Sequence, residues 1–167
     1  MDELKDTGVV AGLTGTSFDV KAAVEAADDA FSYGDMTSVA VSPDGSTLAA
    51  ALQAEGYADA GRVALFTCSA DGSLTLQKVV AVGVQPDMVT FADNNTVLTA
   101  DEGEPREGYG EGTTDPKGSV SVVDVTEGTA TVVDFTAFDE QRDALVSDGI
   151  VLKKDTAPSV DLEPEYI

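Results

Sequence analysis

Residues 86–126 read PDMVTFADNNTVLTADEGEPREGYGEGTTDPKGSVSVVDVT and contain three short strand patterns. The runs 87–91, 96–100 and 118–125 are rich in Val, Thr and aromatic residues, and Gly, Pro, Asn or Asp stand at their ends. Runs of this kind are typical of half-buried antiparallel strands joined by turns. The stretch therefore predicts part of an antiparallel sheet.

The connection between the second and third of these strands is unusually long. It spans about fifteen residues, 101–115, whereas a hairpin loop normally needs two to five. Long loops on a rigid sheet are where binding and catalytic residues concentrate. The acidic residues of this loop are Asp101, Glu102, Glu104, Glu107, Glu111 and Asp115.

The charge balance of the chain is strongly acidic. Its 167 residues include 31 Asp and Glu but only 9 Lys and Arg, a net charge of −22. Nucleic acid and anionic membrane surfaces both require a basic face, so neither is expected as a partner. The acidity fits a solubilising surface or carboxylate sites for a hard cation such as calcium.

Several classes of site are excluded by residue content. The chain has no His and a single Cys, Cys68. A Ser-His-Asp triad, a Cys-His pair, an intramolecular disulfide and a His- or Cys-based zinc site are therefore impossible within it. No apolar run approaches the ~18 residues of a membrane helix, which predicts no membrane insertion of this segment, and the first residues show no signal-peptide pattern.

The strand pattern repeats. Residues 36–84 give four short runs separated by the turns Asp44-Gly45 and Asp71-Gly72, and the order strand, Asp or Asn turn, strand, long loop, Gly-led strand recurs about fifty residues later. Four antiparallel strands at such a period are typical of β-propeller blades. A β-sandwich would also supply short strands, but it does not predict this recurrence.

The predicted fold class is all-β: a partial β-propeller of about two four-stranded antiparallel blades, with flanking strands and one or two short helices. Ala-rich residues 21–31 and residues 138–147 are the helix candidates. The predicted organisation is an N-terminal segment 1–35 with weak strand signals and a helix, a blade 36–84, a blade 85–137 with the acidic loop 101–117, and a segment 138–167 that links to the start of a next blade.

Several long stretches, in this order, resemble one known family. They are SVAVSPDGSTLAAALQ (38–53), GVQPDMVTFADNNTVLTADEGEPREGY (83–109), DPKGSVSVVDV (115–125) and DLEPEYI (161–167). The set is similar to the choice-of-anchor I family, a propeller module of secreted and surface-attached proteins whose members are often labelled alkaline-phosphatase-like or mesenchyme-specific cell surface glycoprotein. The resemblance covers residues 36–167.

The resemblance implies that the chain is internal to a seven-bladed ring and lies outside the cell or on its surface. It also implies that residues 9–20 are the outer strand of a preceding blade. Two features depart from the family pattern. The helix candidate at 21–31 is an insertion, and Asp101 stands where the family usually has Asn. Two blades cannot close a ring, so the sequence also predicts further sheets or self-association through open sheet edges.

The acidic loop and the end of the chain together predict a candidate cation site. Asp101, Glu102 and Glu104 follow the end of the second strand, and the chain returns beside them at Asp115. The acids of the terminal segment lie alongside if that segment starts the next blade. The candidate ligands for calcium are Asp101, Glu102, Glu104, Asp115, Asp161, Glu163 and Glu165. Two alternatives stay open: an ion-pair network centred on Arg106, and a solvated loop without a ligand.

The function predicted from the sequence is a non-catalytic binding or display module that contacts an extracellular protein or glycan, with calcium as a candidate stabiliser. The alternative is part of a metal-dependent, phosphoesterase-like hydrolase. Paired carboxylates can also act on sugars, and Glu102, Glu104 and Glu163 are the candidates for that chemistry. No catalytic residue and no organic cofactor is assigned.

Overall fold

The computed structural model describes residues 17–109, 112–153 and 155–167, which form two four-stranded antiparallel sheets. Strand order follows the sequence in both sheets, as in propeller blades. The first sheet contains β1 (Tyr33–Val41), β2 (Thr47–Ala54), β3 (Ala60–Cys68) and β4 (Leu74–Val84). The second contains β5 (Pro86–Phe91), β6 (Thr96–Asp101), β7 (Ser119–Asp124) and β8 (Thr129–Asp134).

The hairpin turns form where the sequence places Asp, Asn and Gly. In the β1–β2 turn the Asp44 carboxylate accepts the backbone N–H of Ser46 at 2.9 Å, and Gly45 adopts a left-handed φ of 75°. The equivalent β5–β6 turn touches this one, because the N–H of Asp44 donates to Asn94 Oδ1 at 3.1 Å. These two residues are fifty apart, so the predicted repeat places equivalent turns side by side.

One apolar core lies between the sheets. Apart from Leu65, its members from the first sheet are alanines and valines, which lets the two sheets approach closely. Successive side chains of a strand point to opposite faces, so alternate residues of each strand enter this core. The buried set is Ala49, Ala51, Val63, Leu65, Val80, Val82, Val89, Val97 and Val123.

A short helix, α1 (Val20–Ala27), covers the other face of the first sheet. Asp19 caps it by accepting the N–H of Ala22 at 2.9 Å. Fully buried Val24 and, beyond the helix, Phe31 pack with Leu52 and Phe66. The predicted helix extended to residue 31 but ends at 27, because the backbone turns at the extended residue Asp28.

The opposite face of the second sheet carries apolar side chains that no described element covers completely. Alternation along the strands turns these residues away from the first sheet. Val133, for example, is 53% exposed. The face consists of Met88, Leu98, Val120, Val122 and Val133.

Short helices follow the second sheet. A 3₁₀ helix spans Thr136–Gln141, α2 spans Arg142–Ser147 and α3 spans Pro158–Asp161. The helix predicted at 138–147 is therefore a 3₁₀ turn followed by an α-helical turn. No strand is assigned to residues 162–167. The N–H of Ile167 nevertheless donates to Met88 Sδ on β5, the first strand of the second sheet.

The predicted fold class is confirmed, since the protein is built from two successive four-stranded antiparallel sheets and a few short helices. The strand predicted at 9–20 lies mostly outside the described residues. The first sheet begins at Tyr33, three residues before the predicted blade boundary. The division into domains stays a prediction.

Candidate functional site

Asp101 ends strand β6 and points into the joint between the sheets rather than into the loop. It is 0% exposed, and its carboxylate accepts hydrogen bonds from Thr99 Oγ1 at 2.7 Å, Ser121 Oγ at 2.6 Å and Ser119 Oγ at 2.9 Å. Burial raises the pKa of Asp101, and these hydroxyl hydrogen bonds oppose the increase. Its surroundings are those of a buried structural carboxyl, unlike the rim position that the sequence suggested.

Glu102 follows Asp101 and lies at the start of the acidic loop. Its N–H donates to the backbone oxygen of Gln85 at 3.0 Å, so its backbone is fixed beside the start of β5. Partial burial raises the pKa of Glu102 to about 7, and the charges of Asp87, Glu104 and Glu165 add to the increase. This carboxyl therefore titrates near neutral pH.

The predicted convergence of the loop with the terminal segment is present. Partial burial raises the pKa of Glu163, and the charges of Glu104, Asp115 and Asp161 raise it further. Burial, followed by the charge of Asp161, raises the pKa of Asp115. Four carboxylates from two distant parts of the chain thus repel one another at one end of the second sheet. We call Glu102, Glu104, Asp115, Asp161, Glu163 and Glu165 the acidic rim.

Close backbone packing at Gly118 brings the two segments together. The N–H of Gly118 donates to the oxygen of Ser159 at 3.2 Å, and the Leu162 carbonyl lies where a side chain at Gly118 would be. Ser159 is in turn fixed by Asp139, whose carboxylate accepts from its N–H and hydroxyl at 2.9 and 3.0 Å. Only glycine permits this approach at the start of β7.

A cleft of about 390 Å³ lies between the loop and the terminal segment. Tyr109, which is 61% exposed, and Asp115 line one side, and Lys153 and Val160 line another. The Lys153 ammonium lies over the Tyr109 ring, and its charge lowers the pKa of Asp115 and Glu163 against the larger effect of burial. Lys153 is thus a counter-charge within the cleft.

One oxygen in this cleft has an unusual environment. Asp115 Oδ1 is shielded from solvent and has no hydrogen-bond partner among the residues that the structure describes. A buried acceptor without a partner costs free energy, about 1–3 kcal/mol. An ion, a water molecule or a ligand donor at this oxygen would remove that cost.

Arg106 donates hydrogen bonds to the side-chain amides of two glutamines. Its Nε donates to Gln85 Oε1 at 3.1 Å and its Nη2 to Gln53 Oε1 at 2.7 Å. The ion pairs found within the described ranges do not include Arg106, although its charge slightly lowers the pKa of Glu102. Arg106 therefore ties the loop to both sheets through glutamines, and the ion-pair network predicted around it stays a prediction.

The structural role of Gln85 was not predicted from the sequence. This residue adopts a left-handed φ of 55° and is only 2% exposed. Its Nε2 donates to the backbone oxygens of Tyr57 and Glu104, both at 2.8 Å, while its Oε1 accepts from Arg106. Strained residues of this kind persist where their surroundings fix them. Lys153 was also missed, because only the fold brings it to the loop.

Within 17–109, 112–153 and 155–167, no three acidic or thiol side chains are close enough together to hold a metal ion. The calcium site therefore stays a prediction. Over the same ranges, none of the helices has the length and apolar character needed to span a bilayer.

Comparison with models of known protein families gives a match. A sequence model described as the choice-of-anchor I domain matches residues 6–167, essentially the whole chain. A comparison with curated proteins finds no match.

Proposed function

The chain belongs to the choice-of-anchor I domain family, and we propose that it is a binding and display module of a surface-associated protein that engages its ligand at the acidic rim. The membership points to a surface-associated, non-catalytic module. The ligand is an extracellular protein or glycan. The location outside the cell and the role of the rim are parts of this proposal.

One observation carries the proposal: two distant segments join at Gly118 and enclose a cleft beside an exposed aromatic ring. Tyr109 offers an apolar face, and Asp115 offers an acceptor without a partner. Sites for polar ligands commonly combine an apolar surface with a few fixed polar groups. The backbone contacts of Gly118 with Ser159 and Leu162 hold the two sides of the cleft together, which favours binding because less order is lost when a ligand arrives.

Binding to immobilised glycans and extracellular-matrix proteins tests the proposal. We expect Tyr109→Ala and Asp115→Asn each to weaken binding about tenfold, the loss that ~1.4 kcal/mol produces. Tyr166→Ala is the matched control, because Tyr166 is 81% exposed and does not line the cleft. Equal binding by Tyr109→Ala and the control would contradict the proposed surface, and glycan-only or protein-only binding identifies the ligand class.

Calcium is proposed as a stabiliser of the same rim. Glu104, Asp115, Asp161 and Glu163 repel one another, and a divalent cation would relieve this repulsion more fully than the single charge of Lys153. Thermal unfolding with calcium and with chelator measures the effect. We expect calcium to raise Tm, with a gain of ~2.7 kcal/mol at a hundredfold excess over Kd.

Glu163→Gln should abolish most of the calcium shift, and Glu127→Gln, in the exposed β7–β8 turn, should preserve it. An unchanged Tm with calcium would remove the cation from the proposal while leaving ligand binding intact. The hydrolase alternative has its own test, phosphoester hydrolysis by the complete protein with and without divalent metal. Turnover that Glu104→Gln abolishes would overturn the non-catalytic function.

A further inference from the structure

The face of the Tyr109 ring is occupied by a lysine of the same chain. The Lys153 ammonium lies over the ring, and both residues are exposed and line the cleft between the acidic loop and the terminal segment. An aromatic face attracts a cation through the negative charge of its π-system. The cleft therefore already holds one ammonium group, which the molecule itself supplies.

The surroundings of the ring favour positive charge. Loss of solvent contact raises the pKa of Tyr109, and nearby negative charges raise it further. The carboxylates responsible are Glu163, Asp115, Asp161 and Glu104. The acidic rim thus makes the electrostatic potential at the ring negative, which strengthens the attraction of the ring for a cation.

Lys153 contacts the ring without pairing with the carboxylates around it. The ion pairs found within 17–109, 112–153 and 155–167 do not include Lys153. Asp115 Oδ1 has no hydrogen-bond partner in the same part of the chain, although an ammonium has three N–H groups to donate. An ammonium that enters the cleft from outside could contact both the ring and this oxygen.

Only the side chain of Lys153 has to move for the ring to become available. The Lys153 N–H donates to Asp161 Oδ2 at 2.6 Å, and its carbonyl oxygen accepts from Arg142 Nη2 at 2.8 Å, so its backbone is fixed. Exposed side chains change rotamer within nanoseconds, and an exposed cation–π contact is weak. Lys153 is therefore a displaceable group on an anchored backbone.

We propose that the cleft binds a lysine side chain of a partner protein and that Lys153 occupies the cleft when no partner is bound. This inference rests on the proposed function, because it names the ligand class of the same cleft. The partner ammonium replaces Lys153 on the Tyr109 ring and donates to Asp115 Oδ1, while its aliphatic stem packs beside Val160. Lys153 lowers the apparent affinity, because the partner binds only the fraction of molecules in which the ring is free.

Peptide binding to the full chain, measured by calorimetry at low salt with chelator present, tests the proposal. One peptide alternates lysine and glycine, and the second is the same peptide with every lysine acetylated, which keeps the stem and removes the charge. We expect the unmodified protein to bind only the first peptide. Lys153→Met should bind it about fivefold more tightly, the change that ~1 kcal/mol produces.

Lys117→Met is the matched control, because it removes the same charge from the acidic loop. The Lys117 ammonium donates to Thr136 Oγ1 at 2.8 Å, so this variant leaves the Tyr109 ring occupied. A general increase in negative charge would tighten binding equally in both variants. Equal affinities for the two variants, or weaker binding by Lys153→Met, would overturn the proposal.

Two outcomes distinguish the ligand class from the proposed function itself. Binding of neutral glycans but not of the lysine peptide, with a loss in Tyr109→Ala, would overturn the lysine site and leave the proposed function intact. Binding of either ligand that Tyr109→Ala leaves unchanged would overturn both.

NMR of the unmodified protein tests the displacement without any substitution. The ε-methylene protons of Lys153 lie close to the Tyr109 ring, so ring current should shift them upfield. This shift should disappear when the lysine peptide is added to saturation and persist with the acetylated peptide. An ordinary Lys153 shift in the free protein, or a shift that the bound lysine peptide leaves unchanged, would contradict the proposed displacement.

Discussion

Gly118 and Leu162 are in direct backbone contact, although 44 residues separate them: a Cβ on Gly118 would overlap the Leu162 carbonyl oxygen, and Pro164 Cδ would lie 2.8 Å from it. This contact attaches the terminal segment to the second sheet. The acidic rim exists only while the contact holds, because half of its carboxylates belong to that segment.

Gly118→Ala should detach the terminal segment. The new methyl group has no space, so we expect a loss of ~1–3 kcal/mol in the free energy of unfolding of the docked segment. Limited proteolysis should cleave residues 150–167 faster than in the unmodified protein. Thr129→Ala, an exposed change on β8, is the control. Equal cleavage of the two variants would contradict the role of this contact.

Glu102→Gln should change stability mainly above neutral pH. The pKa of Glu102 is raised to about 7 in the folded state from 4.5, so its protonated form favours folding. This contribution is complete below pH 4.5 and is lost as the pH rises through 7. We expect Glu102→Gln to gain ~1 kcal/mol at pH 8 after allowance for solvent screening, and almost nothing at pH 4. Urea unfolding at both pH values measures it, with Glu127→Gln as control.

Arg106→Met should destabilise the protein by ~1–3 kcal/mol, because it leaves acceptors of the largely buried Gln53 and Gln85 without a donor. Arg106→Lys should recover little of this, since one ammonium cannot reproduce the planar donor pair. Urea unfolding at low and at 1 M salt separates two explanations. A loss that is independent of salt supports the amide contacts, and a loss that disappears at 1 M salt supports the ion-pair network.

Val24→Ala should cost ~1–3 kcal/mol, because Val24 is fully buried between α1 and the first sheet. Arg62 supports the same contact, since its Nε lies 2.8 Å from Asp28 Oδ2 and its guanidinium stacks 4.8 Å from the Phe31 ring. Lys21→Ala, on the exposed side of α1, is the control. Equal urea midpoints for the two variants would show that the helix contributes nothing to the fold.

The strands and turns could be predicted because their signals are local. Val and Thr alternation, Asp44-Gly45 and Asn94-Asn95 fix strand, turn and strand within a few residues. The meeting of Glu104 and Glu163 was predicted from the repeat. The position of Asp101 could not be predicted, because a strand end can point to the loop or to the joint. That choice depends on Gly83, Ser119 and Ser121, which only the packed sheets bring together.

The helix over the first sheet makes the two outer faces of the sheet pair different. Val24 and Phe31 cover the outer face of the first sheet. The outer face of the second sheet, which includes Val122 and Val133, is apolar and partly exposed. Among the described residues, a further layer would meet α1 on the first sheet, whereas on the second sheet it would meet an apolar face that Ile167 contacts at Met88. The two outer faces are therefore unequal: a helix covers one, and the other can still bury apolar surface.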